Sequence, residues 1–399
     1  MTTSKRYETT VVAIMFMTWG TVFLDRMAQL YLAPFMSVDL RLAPKDIGLL
    51  AAVMGGTWAF STFVFGALSD RVGRRVILIP MVFAFSALSI ASGLVRTFPQ
   101  LLLVRALMGI AEGPCWSIMN VIVARVSHPT RRGRNVGFVL SAASIIGLAV
   151  APVLTTQVAA RYGWRFAFFL AGLPGLGMGL LIWKYVKEPP LERASPDMPT
   201  HRLTLRDMLA LVGYRNLRLC AVGATGFMGW LFLTNVFGPL YITKVAGQSG
   251  TSAGFLLGAA GLGSVVIGFL ASAMSDRFGP KMTLLVASTL SMLLPLTLVY
   301  GHLYDHLWIL AGILFLTQGG QAVATLMIVL LPTATAPRAM SGAAIGLVTL
   351  TGELFGATLG PVLGGHLAEA YGLAAPLLLA AACMALAFFA ALRLEGDKL

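Results

Sequence analysis

The decapeptide GALSDRVGRR, from Gly66 to Arg75, recurs in altered form as SAMSDRFGPK, from Ser272 to Lys281. Each copy follows a long apolar run, and the two copies lie 206 residues apart in a chain of 399. Self-similarity over half of a chain is typical of a duplicated unit. These ten residues therefore predict two related halves, each with a charged turn between its second and third helices.

The charged residues of this repeat have a plausible physical function in the turn. An aspartate at the end of one membrane helix can pair with arginine and with the N-terminus of a neighbouring helix, while glycine permits a tight turn. We expect a cytoplasmic latch between helices; the alternative is a solvated loop that carries positive charge. The predicted latch residues are Gly66, Asp70, Arg71, Arg74, Arg75, Asp276 and Arg277.

The composition excludes an ordinary soluble domain. Hydrophobic residues make up 57% of the chain and charged residues 11%, whereas a soluble domain is about half apolar and about a quarter charged. Because one membrane crossing takes roughly 20 apolar residues, the chain has room for about twelve crossings. We therefore predict an all-α polytopic membrane protein.

The apolar runs predict twelve transmembrane helices. Their approximate ranges are 11–35, 46–68, 76–95, 99–125, 135–160, 165–186, 216–243, 250–274, 282–300, 306–331, 341–367 and 373–393. The one long polar interruption contains EPPLERASPDMPTHR, whose prolines and charges favour a linker. This pattern predicts an N-terminal six-helix bundle over 1–186, a linker over 187–215 and a C-terminal six-helix bundle over 216–399.

The net charge of +13 raises the question of nucleic-acid binding, but the positions of the charges argue against it. We assign 21 of the 29 basic residues to loops and tails on one side of the membrane and six to the other. Basic residues accumulate on the cytoplasmic side. Both termini and the linker are therefore predicted to be cytoplasmic, in a bacterial-type inner membrane, with the lipid bilayer and not nucleic acid as the partner.

Five ionisable residues fall within predicted membrane helices: Asp25, Arg26, Arg105, Glu112 and Glu353. A charge at mid-membrane costs about 2.5–3.5 kcal/mol on insertion scales, so such residues usually line a cavity and serve a function. Arg105 and Glu112 are seven residues apart and share one helix face, about 10.5 Å apart along the axis. Pairing of Asp25 with Arg105, or of Arg26 with Glu112, is the structural alternative.

The duplicated loop together with twelve helices resembles the major facilitator superfamily over nearly the whole chain. GALSDRVGRR is similar to that superfamily's signature between helices 2 and 3, and SDRFGPK is similar to its weaker second copy. The resemblance implies the major facilitator fold, in which two six-helix bundles alternate between inward-open and outward-open states.

FLDR, ending at Arg26, and RALMGIAEGP, from Arg105 to Pro114, resemble motifs of the anion:cation symporter branch. That resemblance implies that Arg26 binds a substrate carboxylate, that Asp25 and Glu112 take up protons, and that Arg105 modulates their pKa. The chain has Phe23 where the branch often has tyrosine, and Glu353 where asparagine is frequent. GLPGL (172–176) and KEPP (187–190) are similar to the spinster-like lysolipid transporters, which remain the main alternative.

Further polar and aromatic residues on predicted helices are candidates for substrate binding, with ordinary packing as the alternative. Together with Arg26, Arg105 and Glu353 they are Gln29, Tyr31, Asn120, Trp230, Thr234, Asn235, Gln318, Gln321 and Thr349. Glu353 is also a candidate for proton coupling. Glycines at three- to five-residue spacing in helices 5 and 11 predict close helix packing there.

These features favour a proton-coupled symporter of a small organic anion, because guanidinium groups grip carboxylates through two hydrogen bonds. Mid-membrane arginines disfavour a cationic-drug exporter, and a duplicated chain with latches disfavours a channel. An integral membrane enzyme is disfavoured because HExxH and a metal-ligand cluster are missing from the sequence. We expect a monomeric transporter that uses protons and an anion, with no enzyme activity, cofactor or metal.

Overall fold

The computed structural model describes residues 4–188, 210–337 and 340–395. The side chains of Ala67, Asp70 and Ser272 are not among the described ones. The predicted latch at Asp70 and most of the predicted linker therefore lie outside the described residues.

Within these described ranges, twelve helices are long and apolar enough to cross a membrane, which confirms the predicted fold class. In the first half they are α1 (Lys5–Asp39), α2 (Pro44–Val72), α3 (Arg74–Ser92), α4 (Phe98–Val126), α5 (Arg132–Tyr162) and α6 (Trp164–Tyr185). In the second half they are α7 (Arg215–Lys244), α8 (Gly250–Phe278), α9 (Pro280–Tyr300), α10 (Leu307–Thr335), α11 (Ser341–Tyr371) and α12 (Ala374–Leu392).

The two copies of the decapeptide form the same turn in the two halves. Gly73 precedes α3 with φ of 109°, and Gly279 precedes α9 with φ of 82°. Backbone in this region favours glycine because a Cβ atom would clash. The repeat therefore encodes a helix–glycine–helix turn, as its sequence predicted.

Helix α1 begins six residues earlier than its apolar run indicates. Its first turns are polar, but the buried Glu8 carboxylate accepts hydrogen bonds from Arg131 Nη2 at 2.6 Å and from Asn135 Nδ2 at 2.7 Å. Glu8 also raises the pKa of the Arg131 guanidinium through these contacts. A tertiary contact that hydropathy does not register thus extends the helix.

The chain divides into two compact units, Met1–Leu42 with Val53–Arg193, and Ala43–Ala52 with Ala194–Leu399. The first unit contains most of α1–α6, and the second contains α7–α12 with the start of α2. In unit 1 the core is a continuous cluster of buried side chains that includes Met15, Trp19, Phe85, Met108 and Ile122.

Helices α5 and α11 each contain a π-helical segment, Ala143–Val150 and Gly352–Thr358. A third segment, Thr325–Leu330, lies in α10. A π turn adds a residue to the helix and is frequent at functional sites. The first two segments occupy equivalent places in the two halves, where α5 packs on α1 and α11 packs on α7.

The glycines explain how closely these helices pack. A Cβ at Gly147 would lie 2.7 Å from Phe23 Cβ of α1, and a Cβ at Gly356 would lie 2.6 Å from the Thr225 carbonyl oxygen of α7. Gly137 and Gly346 have no such neighbour within 4 Å. Close packing, predicted for helices 5 and 11, therefore occurs at the middle of each helix.

Candidate functional site

Helices α1 and α4 bring four of the predicted charged residues together inside unit 1. Asp25, Arg105 and Glu112 are completely buried, and Arg26 is almost so. Arg105 Nη1 lies 3.8 Å from Asp25 Oδ2. The pairing of Asp25 with Arg105, one of the two that the sequence left open, is present in the structure.

Two serines of α3 hold this ion pair from a third helix. The Ser89 hydroxyl donates a hydrogen bond to Asp25 Oδ1, and Arg105 Nη2 donates to Ser92 Oγ at 2.5 Å. The Arg105 guanidinium also lies over the Phe168 ring of α6, 4.9 Å from its centroid. The pair is thus fixed by hydroxyl and aromatic contacts, which supply part of the solvation that burial removes.

Glu112 differs from Asp25 in its partners. Neither of its buried carboxylate oxygens accepts a hydrogen bond from a donor group; the carboxyl lies against that of Asp25 and within electrostatic reach of Arg26 and Arg105. A buried carboxylate without a donor is costly. Such a group is stabilised by binding a proton or by a ligand that supplies a donor.

Arg26 lies between aromatic rings. Its guanidinium carbon is 4.7 Å from the centroid of Trp58 in α2 and 5.9 Å from that of Phe23. Aromatic faces attract a guanidinium through cation–π contact. These contacts orient the Arg26 side chain in a largely apolar setting.

The remaining candidates of unit 1 flank this cluster. Gln29 is buried, and its Oε1 atom has no hydrogen-bond partner. Tyr31 is completely enclosed, and Asn120 on α4 is half-buried. Gln29 Oε1 is therefore a buried acceptor that a ligand donor could satisfy.

The candidates of unit 2 are described separately because they lie on α7, α10 and α11. Trp230 Nε1 donates to the Ser291 carbonyl at 2.8 Å, and Asn235 Nδ2 donates to the Leu231 carbonyl at 2.8 Å. These two side chains are therefore engaged with backbone. Thr234 is buried with an unpartnered Oγ1, and Glu353 is buried in the π segment of α11. Gln318, Gln321 and Thr349 are half-buried.

The first copy of the predicted latch has a partner that sequence reasoning did not assign. Glu188, just after α6, accepts hydrogen bonds from the backbone N–H groups of Arg74 at 2.7 Å and Arg75 at 2.8 Å. The Arg75 guanidinium donates to the Trp183 carbonyl of α6. Glu188 therefore caps α3 and ties it to the end of α6.

The other latch residues are arranged differently. Gly66 lies near Ser117 of α4, and Arg74 is buried. Arg71 is exposed, as are Asp276 and Arg277 in the second copy. Arg277 lies over the Phe278 ring at 5.3 Å.

Sequence reasoning missed Ser89, Ser92, Trp58 and Glu188. Ser86, Ser89 and Ser92 recur every three residues within an apolar helix, and that one-sided polar stripe was the available signal. Within the described ranges no group of three or more His, Cys, Asp or Glu side chains could hold a metal ion. The site is thus built from charges, hydroxyls and aromatic rings.

Comparison with known proteins agrees with this architecture. A sequence model of the Major Facilitator Superfamily matches residues 14–354 and 219–398. The Hexuronate transporter of Bacillus subtilis (strain 168) is 31% identical over 182 residues, which are 46% of this chain and 43% of that protein. The D-galactonate transporter of Escherichia coli O6:H1 is 25% identical over an alignment that covers 98% of this chain and 96% of that protein.

Among solved structures, the chain is similar to a bacterial homologue of the human lysosomal transporter Spinster in an inward-facing and unoccupied conformation. The TM-score is 0.77 at 19% identity, with 97% of this chain and 98% of that chain covered. At this identity the likeness establishes the fold. Since the superfamily model matches nearly the whole chain, this protein belongs to the Major Facilitator Superfamily.

Proposed function

We propose that this protein is a proton-coupled symporter of a small organic carboxylate. The observation that carries the proposal is the buried group of Asp25, Arg26, Arg105 and Glu112 in unit 1. Two arginines and two carboxylates in one apolar setting make it possible to bind an anion and a proton at linked sites. The names of the relatives, hexuronate and D-galactonate transporters, support an organic acid as the substrate.

The contacts of Arg26 and Arg105 support different roles for these two arginines in the proposal. Arg105 is held by Asp25 and Ser92, and Arg26 is held over the rings of Trp58 and Phe23. The planar guanidinium of Arg26 can bind a carboxylate through two hydrogen bonds. Arg26 therefore binds the substrate in this proposal. The bound anion offsets the field of Arg26 on Glu112 and so favours protonation of Glu112. By linkage, the proton favours anion binding to the same extent.

The proposal includes the orientation and the transport cycle. The bundles 1–186 and 216–399, joined by a cytoplasmic linker over 187–215, alternate between inward-open and outward-open states in the inner membrane. Both termini are cytoplasmic because of the excess of basic residues on that side. The transporter acts as a monomer, and the latch residues bias its conformational equilibrium.

Uptake into proteoliposomes tests the proposal. Purified protein is reconstituted with an acidic or an alkaline interior, and radiolabelled D-galactonate, a labelled hexuronate and a labelled lysophospholipid are offered outside at acidic pH. We expect one of the acids to accumulate above equilibrium only with the inward proton gradient, and a protonophore to abolish the accumulation. The lysophospholipid arm addresses the spinster-like alternative.

The outcomes separate the hypotheses. Flux of the lysophospholipid without flux of either acid would favour a lysolipid transporter. If an acid only equilibrates across the membrane, and its flux does not depend on the proton gradient, the hypothesis of proton coupling is wrong. The protein would then be a uniporter or an exchanger. Protein-free liposomes and liposomes with Arg26→Ala supply the background.

A further inference from the structure

The Ser89 hydroxyl of α3 faces two acceptors with a single hydrogen. It donates to Asp25 Oδ1 of α1, and it lies 3.1 Å from the Phe168 carbonyl oxygen of α6. Ser89 and Asp25 are completely buried. A hydroxyl has one donor and two acceptor lone pairs, and its hydrogen rotates to suit its neighbours.

We propose that Ser89 is a positioning residue whose hydroxyl hydrogen turns between Asp25 and the Phe168 carbonyl as Asp25 loses and gains a proton. This inference rests on the proposed proton-coupled function, and it takes Asp25, beside Glu112, as a second group that binds a proton. It gives helix α3 a direct role in proton binding. The charged motifs identified from the sequence lie on α1 and α4 and do not include a residue of α3.

The geometry satisfies both protonation states. With Asp25 ionised, Ser89 donates to Oδ1, as observed. When a proton arrives on Oδ1, that O–H becomes the donor to Ser89 Oγ, and the Ser89 hydrogen moves to the Phe168 carbonyl. The hydrogen bond between Asp25 Oδ1 and Ser89 Oγ is kept in both states, and only its direction reverses. Oδ1 is the favoured proton acceptor because Oδ2 faces Arg105 at 3.8 Å.

The neighbouring charges are held in place while this hydroxyl turns. Arg105 and Glu112 of α4 are the charged groups that act on Asp25, and Arg26 is next to it on α1. From α5, the residues packed on this stretch of α1 are the uncharged Ile146 and Gly147. From α3 and α6, the polar contacts to the ion pair and to Ser89 come from Ser89, Ser92 and the Phe168 carbonyl.

Ser92 differs from Ser89 because its hydrogen is already committed. Ser92 Oγ donates to the Leu88 carbonyl of its own helix at 2.8 Å and accepts from Arg105. It can therefore anchor Arg105 but has no hydrogen to exchange. Ser86, one turn from Ser89 on the same face, donates to the Val82 carbonyl at 2.8 Å. Ser86→Ala is thus a matched control that leaves the Asp25 contacts unchanged.

Infrared titration of the purified full-length protein tests the proposal without a substrate. The carboxyl band of protonated Asp25 is identified by its loss in Asp25→Asn and followed across about pH 4 to 10. In Ser89→Ala the ionised carboxylate loses a stronger hydrogen bond than the neutral acid does. We therefore expect the titration midpoint to move upward by about half to one pH unit. Ser86→Ala should titrate as the unchanged protein does.

Ser89→Cys keeps the volume of the side chain and supplies a weaker donor, so it should shift the midpoint upward by less. An Asp25 band that does not titrate, or midpoints in Ser89→Ala and Ser89→Cys that match the unchanged protein, would overturn the proposal. Uptake of labelled D-galactonate is measured in the same preparations. A shifted infrared midpoint without any proton-driven uptake would support the Ser89 contact while removing the proposed function.

Discussion

Among single residues, the buried charges of unit 1 differ in how firmly they are held. Asp25 and Arg105 have partners on α3, whereas both oxygens of Glu112 lack hydrogen bonds. A carboxylate without fixed donors can take up and release a proton with little rearrangement of its neighbours. Glu112 is therefore the residue of unit 1 that we expect to couple transport to the proton gradient.

Replacing Glu112 by glutamine should separate exchange from accumulation. Glutamine resembles the protonated acid but cannot release a proton, so we expect counterflow to persist while proton-driven accumulation falls to equilibrium. Counterflow and uptake with a pH gradient, in the same proteoliposomes, measure the two activities. Wild-type accumulation by Glu112→Gln would move the coupling role to Asp25 or Glu353, and Glu353→Gln is the paired variant that distinguishes these.

Substitution of Arg26 should affect binding and not coupling alone. Arg26→Lys keeps the charge but loses the planar fork that can bind a carboxylate through two bonds. We expect its half-saturation concentration to rise about tenfold or more, equivalent to about 1.4 kcal/mol or more, and Arg26→Ala to abolish saturable exchange. Concentration dependence of counterflow provides the measurement. An unchanged half-saturation concentration in Arg26→Ala would place substrate binding elsewhere.

The sequence alone identifies the buried charged residues more readily than the residues that contact them. Asp25, Arg26, Arg105 and Glu112 stand out because burial of a charge in a membrane helix is costly. Serine and tryptophan carry no such cost in these helices, so Ser89 and Trp58 resemble ordinary packing residues. Their roles depend on which neighbouring helix approaches them, and that is tertiary information.

Helices α5 and α11 share a design in which a π segment meets a close-packed glycine. A Cβ at Gly356 would meet backbone atoms of α7 at 2.6 and 2.7 Å, and backbone cannot move aside as a side chain does. We expect Gly356→Ala to cost about 1–3 kcal/mol of stability by overpacking. The measurement is the apparent melting temperature of the detergent-solubilised protein, which should fall.

Gly346→Ala on the same helix is the matched control for that experiment. Its Cβ would have no neighbour within 4 Å, and alanine is favoured over glycine in a helix by about 1 kcal/mol. The control should therefore leave the melting temperature unchanged or raise it. Equal losses of stability in both variants would show that close approach of α7 is not the cause.

Glu188 links α6 to α3, and its removal should weaken this junction. A polar side chain that caps a helix N-terminus, such as Ser, Thr, Asn or Asp, contributes roughly 0.5–2 kcal/mol of stability. We expect Glu188→Ala to lose stability in that range, because two backbone N–H groups lose their acceptor. Limited proteolysis of the α2–α3 turn and the apparent melting temperature report the change. Lys187→Ala is the control, and an effect as large as that of Glu188→Ala would argue against the cap.

Among elements, hydropathy predicted the number of helices, and the repeat predicted the turns at Gly73 and Gly279. The π segments and the extended start of α1 were not predictable in the same way. The first α1 turns depend on Glu8 meeting Arg131 and Asn135, which are over 120 residues away. Local sequence does not encode such a contact.

For the whole molecule, duplication is the feature that connects sequence, fold and family. The two glycine turns, the two π segments and the two tightly packed helix pairs recur at equivalent places in the halves. The charges do not follow this symmetry, because four of the five predicted membrane charges belong to the first half and Glu353 belongs to the second. We infer that the duplicated scaffold supports transport while the first half carries the chemistry of the proton and the carboxylate.

The orientation of the scaffold follows from its basic residues, since 21 of them are assigned to one side and six to the other. Two exposed threonines make a matched test: Thr130 follows α4 on the predicted cytoplasmic side, and Thr97 precedes α4 on the opposite side. In a background with the three native cysteines replaced, we expect an impermeant maleimide to label Thr97→Cys in intact cells. Thr130→Cys should be labelled only after the membrane is permeabilised. The reverse pattern would invert the topology and with it the cytoplasmic assignment of both termini, because an even number of crossings keeps the two ends on one side.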